Sequence, residues 1–137
     1  MLEKAALALP VITTTLEETV ASCQRLQAQV NEITRGHPGG IWITRALRAV
    51  PILHAVRIES RDEVARRLAE ALHERYPSVT DEAMAAATRL STELTYAAVE
   101  MALEAPEQEE QINSEVCWMV CSYYEQLEAR HAAMRKA

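Results

Sequence analysis

Two Glu-x-x-His segments, Glu70-Ala-Leu-His73 and Glu128-Ala-Arg-His131, have the residue types and spacing best suited to chemistry in this chain. On a helix, positions i and i+3 project from one face. A duplicated pair of this kind, joined by one Glu from each of two further helices, builds carboxylate-bridged di-metal sites inside four-helix bundles. Both copies fall in the last turns of their helical patterns, where side chains meet water. His73 lies beside the Leu68/Leu72 row and not on it, and a helix C-terminus favours a histidine for dipole reasons alone. Cys117-x-x-x-Cys121 sets two thiols one turn apart. No His or further Cys stands near them in the sequence to complete four metal ligands, so small buried apolar residues are the simpler reading. Phosphate-binding loops, H-E-x-x-H, C-x-x-C and G-x-S-x-G do not occur. No catalytic residue, metal or cofactor is expected, and the di-metal bundle enzyme stands only as an alternative.

The elements that must position these residues are all helical. Thr15 caps a helix carrying Leu16, Val20, Cys23, Leu26, Val30 and Ile33, with Glu18 completing a capping box. Before it, Met1 to Leu9 reads as the end of another helix, stopped near Pro10. Gly36-His37-Pro38-Gly39-Gly40 is the chain's one cluster of breakers and holds all three of its glycines. A short helix from Ile41 to about Val50 is ended by Pro51. The next runs from Ile52 to Arg75 with Leu53, Val56, Ser60, Val64, Leu68 and Leu72 in one row. Thr80 or Ser78 caps a helix to about Ala105, and after Pro106 a last helix runs from Glu107 to Arg135. With no alternating strand pattern, the fold class is all-α: an antiparallel bundle of about five helices in a single domain, residues 1–137.

Composition narrows the functional classes. The chain has 137 residues, 49 % hydrophobic and 25 % charged, enough for one packed core. No apolar run reaches membrane-spanning length and no secretory signal pattern opens the chain, so no membrane partner is expected. Three cysteines without framework spacing fit a reducing cytoplasm. Residues 1–75 carry ten basic and nine acidic groups, while residues 76–137 carry four and eleven. A duplex-binding surface needs a basic patch, and Arg45, Arg48, Arg57, Arg61, Arg66 and Arg67 are the only candidates. They alternate with Glu59, Asp62 and Glu63 and lack an aromatic platform, which suits a solvated, salt-bridged face. Direct nucleic-acid binding by this chain is not expected.

The last two helices are apolar over more than one face. Ile112, Val116, Met119, Val120, Tyr123, Tyr124, Leu127 and Met134 form a wide stripe, and the preceding helix has Leu90, Leu94, Ala97, Ala98 and Met101 on one face and Met84, Thr88, Ser91, Thr92 and Thr95 on another. A surface helix needs only one apolar arc. A homodimer through these two helices accounts for the excess, with Leu94, Ala98, Met101, Val116, Val120, Tyr123 and Leu127 at or near the two-fold axis. A fully internal helix in a monomer is the alternative.

The stretch Pro38-Gly-Gly-Ile-Trp-Ile-Thr-Arg-Ala-Leu-Arg-Ala-Val-Pro51, with the order and lengths of the helices around it, resembles the C-terminal domain of tetracycline-repressor family transcription regulators. The resemblance covers nearly the whole chain. It implies a small-molecule pocket among the middle helices and a dimeric four-helix bundle made by the last two. It also implies an N-terminal helix-turn-helix domain with an A-G-V-S-type turn, and that motif is absent here. On this basis Cys23, Leu26, Gln27 and Val30 would supply one wall of the pocket and Trp42 and Ile43 its floor. His54, Val56 and Ile58 would form another side, and Met84, Thr88, Thr92 and Tyr96 would close it. Such a lining suits a lipophilic or aromatic ligand with one or two polar groups. The reading is therefore a sensing and dimerisation domain. A bundle protein acting through mixed dimers is a second possibility, and for any single lining residue plain core packing is the competing role.

Overall fold

The computed structural model describes residues 15–136, with five α-helices and no strand among them. These are α1 (Leu16–Gly36), α2 (Gly40–Ala49), α3 (His54–Arg75), α4 (Asp81–Glu104) and α5 (Glu109–Lys136). The expected all-α bundle is present. The helix expected at Met1 to Leu9 lies outside the described residues.

Local chemistry sets the boundaries. The Thr15 hydroxyl accepts from the Glu18 N–H at 3.1 Å, and the Thr80 hydroxyl accepts from the Ala83 N–H at 3.2 Å. Each satisfies one of the N–H groups that a helix start leaves without an intrahelical partner. Thr80, not Ser78, is the cap of α4. Pro51 and Pro106 do not break the chain outright; each opens a single 3₁₀ turn, Pro51–Leu53 and Pro106–Gln108, that leads into the next α-helix. Between α1 and α2, Gly39 takes φ +70, a left-handed conformation suited to glycine. A Cβ at Gly40 would overlap the Thr34 carbonyl oxygen, so the chain turns there only with glycine.

α1 packs on α5 and α4, and α4 lies between α3 and α5. Toward one end, Tyr76, Val79, Met84, Ala87, Tyr124 and Leu127 form a closed cluster. Elsewhere Val20 and Ala98 pack with Val116, Cys117 and Cys121, and Val30 packs with Val99. Burying side chains such as Met84 or Leu127 contributes about 1.5–3 kcal/mol each relative to leaving them in water. α2 is held to the C-terminal half of α4 by Arg45–Glu104 at 2.9 Å and Arg48–Glu100 at 2.8 Å, so both arginines of the R-A-L-R motif serve helix docking.

Two expectations need correction. The apolar row of α3 does not begin at Leu53 and Val56; Val56 and Ser60 are exposed, and Arg61 and Ala65 are the buried positions. Arg61, expected on a solvated face, is only 7 % exposed. The buried arc of α3 is turned toward α4, and Arg61 is the residue that this phase carries inside.

Candidate functional site

A cavity of about 140 Å³ lies among α1, α3, α4 and α5. Thr19, Ser22, Cys23, Leu26, Gln27 and Val30 line it from α1. Val64, Leu68 and Leu72 line it from α3, and Tyr76 follows at that helix's end. Ser91, Thr92, Thr95, Tyr96 and Val99 come from α4, and Val120, Cys121 and Tyr124 from α5. The Val64, Leu68, Leu72 spacing of four residues per turn holds one α3 face toward the space. These three stay half-buried because the neighbouring helices do not close over them.

Most of the polar groups around this space are already engaged. On α4, Thr88, Thr92 and Thr95 donate their hydroxyls to carbonyls of their own helix, at Met84 (2.9 Å), Thr88 (2.6 Å) and Thr92 (2.9 Å). This local back-bonding leaves Thr92 and Thr95 to present mainly their methyl groups. Ser91 Oγ and the Tyr124 hydroxyl are 2.7 Å apart. Gln27 donates from Nε2 to the Thr95 carbonyl at 3.0 Å, joining α1 to α4 across the site. The Ser22 hydroxyl accepts from Arg25 at 3.0 Å. The lining is thus apolar in effect, with one exception. The Tyr96 hydroxyl is buried and makes no hydrogen bond.

Beside that hydroxyl lies a second unmatched group. The Arg61 guanidinium carbon stands 3.1 Å from the centre of the Tyr96 ring, and Arg61 Nη1 is buried without a partner. Glu93 is its nearest ion pair, with Oε1 3.9 Å from Arg61 Nε, while Oε2 of the same carboxylate is held at 2.8 Å by Arg57. Burial pushes the Arg61 pKa below its ordinary value, and burial likewise raises that of the Tyr96 phenol. Arg61 precedes Val64, Leu68 and Leu72 on the same side of α3, packed against the ring of Tyr96, but is not itself among the residues that line the cavity.

The three cysteines meet at the α1–α5 contact. Cys23 on α1 packs against the cluster that holds Cys117 and Cys121 on α5, and all three are free thiols. The Cys117 contact, with burial, pushes the Cys23 thiol up to about 12; the Cys23 contact and burial raise Cys121 as well. Sequence spacing shows only the Cys117/Cys121 pair, because Cys23 joins it through tertiary packing.

Of the expected pocket residues, the cavity brings together Cys23, Leu26, Gln27, Val30, Thr92 and Tyr96. The others lie elsewhere. Trp42 and Ile43 are 67 % and 51 % exposed on α2, so they form no floor. His54 and Ile58 border a shallow surface depression with Glu59, Asp62, Glu63 and Arg66, and Val56 is exposed. Met84 is completely buried in the closed cluster and Thr88 is buried with its hydroxyl bonded back to the helix. The α3 wall lies about three turns later than His54, Val56 and Ile58, and the apolar rows of α5 were assigned to a dimer and not to the cavity. Val64, Leu68, Leu72, Val120, Cys121 and Tyr124 were therefore missed, although each stands in an apolar row visible in the sequence.

The expected dimer residues also divide. Leu94, Met101 and Tyr123 are exposed. Ala98, Val116 and Leu127 are buried in the chain's own core, and Val120 lines the cavity. Their side chains are covered, wholly or in part, by neighbouring helices of the same chain. Leu90 and Met119 are exposed as well. Leu90, Leu94 and Met101 fall at i, i+4 and i+11 on α4, and Met119 and Tyr123 at i and i+4 on α5, so each exposed set shares one helix face.

Three of the four Glu-x-x-His residues have other partners. Glu70 pairs with Arg66 at 2.6 Å, His73 with Asp81 at 3.1 Å, and Glu128 accepts from the Ser78 N–H at 3.0 Å. No group of three or more His, Cys, Asp or Glu side chains among the described residues is arranged to hold a metal ion. No described helix is long and apolar enough to cross a membrane. Comparison of the chain with protein-family models, with curated proteins and with solved structures gives no match.

Proposed function

We propose that this chain is a small-molecule-sensing and dimerisation domain of the kind found in tetracycline-repressor-like regulators, with the four-helix cavity as its ligand site. The observation that carries the reading is the cavity itself. Its volume of about 140 Å³ is close to that of engineered apolar cavities that stay dry and take up benzene-sized molecules. A ligand of that size, lipophilic or aromatic, would touch four helices at once. Binding could then shift their relative positions by as much as the ligand prefers one arrangement over another, commonly 1–3 kcal/mol or so. α2, tied to α4 by Arg45–Glu104 and Arg48–Glu100, would follow any movement of α4.

The partner we propose for the exposed α4–α5 stripe is a second copy of this chain. Ala98, next to Leu94 and Met101 on α4, packs in one cluster with Val116 of α5, so the exposed rows of the two helices border the same seam. Two such pairs related by a two-fold axis would close a four-helix bundle. Duplex DNA is not a proposed partner. Arg45, Arg48, Arg57, Arg66, Arg67 and Arg75 are each paired with a carboxylate, and the chain's net charge is −6.

Calorimetric titration with toluene, alongside light scattering, tests both halves of the reading. Saturable binding at one site per chain and the mass of a dimer are expected. No binding would remove the ligand-sensing role, and a monomer at tens of micromolar would remove the dimerisation role.

A further inference from the structure

Two of the three free thiols line the four-helix cavity, and they come from different helices: Cys23 from α1 and Cys121 from α5. Cys23 packs against the cluster that contains Cys121. Cys117, one turn before Cys121, is completely buried and does not line the cavity. The thiols can be reached from outside. α1 and α3 do not pack on each other, and Cys23 and Leu26 on one side and Leu68 and Leu72 on the other stay half-buried. Two soft sulfur ligands therefore face a space of about 140 Å³ whose other walls are apolar in effect. No third His, Cys, Asp or Glu among the described residues joins them in a metal-holding group. A ligand suited to this arrangement has two valences for sulfur and a third for an apolar body.

We propose that the cavity captures a trivalent organoarsenical with a compact aromatic group, held by Cys23 and Cys121 together. The inference rests on the ligand-site reading above and adds the chemical class. The hydrated arsenical, R–As(OH)2, condenses with two thiols. Two As–S bonds form, two As–O bonds break, and the thiol protons leave with the hydroxyls as two waters. Arsenic stays trivalent, so no oxidant or reductant takes part. No net proton is released, so at equilibrium the exchange does not require ionised thiols, whereas alkylation needs the thiolate. Cys23, pushed up to about 12 by its contact with Cys117 and by burial, is thus poorly suited to alkylation yet competent for this exchange. The second As–S bond closes within the complex, at high effective concentration, so two thiols retain arsenic far better than one. The aromatic group would take the space beside Leu26, Leu68 and Val99.

Phenylarsine oxide added to the native full chain, with mass spectrometry as the readout, decides the matter. One arsenic per chain is expected, stable to excess monothiol and released by a dithiol. Denaturing the wild-type adduct in an alkylating agent should label Cys117 and leave Cys23 and Cys121 protected. This pattern is read on the unmutated chain, so it decides even where a variant fails to fold. Cys23→Ser and Cys121→Ser should each lose the monothiol-resistant adduct, and Cys117→Ser should keep it. Cys117 and Cys121 are neighbours on one helix face and could hold arsenic themselves. Protection of Cys117, or an adduct that survives in Cys23→Ser, would overturn the inference in favour of that pair. Saturating toluene should slow adduct formation, and an adduct that toluene does not slow would place the phenyl group outside the cavity and overturn the inference too. Toluene binding without a monothiol-resistant adduct would end the arsenical reading and leave the cavity as a ligand site. If neither compound binds, both readings fall together.

Discussion

The guanidinium carbon of Arg61 lies 3.1 Å from the centre of the Tyr96 ring, and Tyr96 in turn lines the four-helix cavity. Packing on an aromatic face compensates part of the cation's lost hydration but satisfies none of its N–H donors. With Nη1 unpartnered and Glu93 3.9 Å from Nε, Arg61 adds little to the stability of the fold. Arg61→Met, which keeps an unbranched side chain in the same space, should leave stability unchanged or raise it by about 1–2 kcal/mol. Urea denaturation measures this. A loss of more than about 3 kcal/mol would show that Arg61 holds the fold together through a well-made ion pair.

The dimer prediction moves outward from the residues that sequence reasoning favours. Val120 lines the cavity, so a charge there would damage the monomer. Leu94 and Tyr123 are exposed, and glutamates at both would place like charges across the proposed two-fold. Leu94→Glu with Tyr123→Glu should convert a dimer to a folded monomer by light scattering, with the helical circular dichroism signal retained. A dimer that survives both changes would place the interface elsewhere.

The thiol cluster predicts slow chemistry. The thiolate is the reactive form, and contact with Cys117 together with burial keeps the Cys23 thiol up at about 12. Cys121 is raised in the same way by Cys23 and by burial. A thiol reagent at neutral pH should label Cys23 and Cys121 of the native chain slowly and all three cysteines rapidly after denaturation, read by mass spectrometry. Fast native labelling of Cys23 would mean that α1 and α5 separate readily.

Alkaline pH should destabilise the fold before it breaks the helices' own hydrogen bonds. Burial raises Tyr76 from 10.0 to about 12, with Glu125 adding to the effect and Arg75 opposing it; burial raises Tyr124 as well. The folded chain therefore holds more protons than the unfolded chain once pH passes 10.0, so stability is complete below that value and falls as pH rises toward 12. Tyr76 and Tyr124 stack with ring centres 5.8 Å apart in the closed core cluster, so their ionisation and unfolding should coincide. Tyrosinate absorbance followed with circular dichroism checks this; a smooth titration near 10 without unfolding would contradict it.

The helices were legible because caps and breakers act locally. Thr15, the Gly36–Gly40 cluster, Pro51, Thr80 and Pro106 mark boundaries through hydrogen bonds and steric limits within a few residues. The cavity was legible only in part. Apolar rows show that Leu68 or Val120 turns inward, but which inward residues face a void depends on how closely four helices approach. Arg61 was the clearest miss, because an arginine among Glu59, Asp62 and Glu63 carries every mark of a solvated face, and only the phase of α3 against α4 buries it. Trp42 failed in the opposite direction: a large indole suggests core, yet α2 holds it outward beside Arg45, 5.1 Å from the ring centre. Dimer and cavity competed for the same apolar α5 residues, and periodicity cannot divide them.

The most direct test of the ligand site is a methyl-resolved NMR titration of the wild-type chain with toluene. Saturable shifts are predicted at Leu26, Leu68, Leu72, Val99 and Val120, which line the cavity on all four helices, with Leu90 and Leu94 on the outer stripe unaffected. Shifts confined to Leu90 and Leu94, or none at saturating toluene, would show that the cavity takes no ligand and would contradict the sensing role.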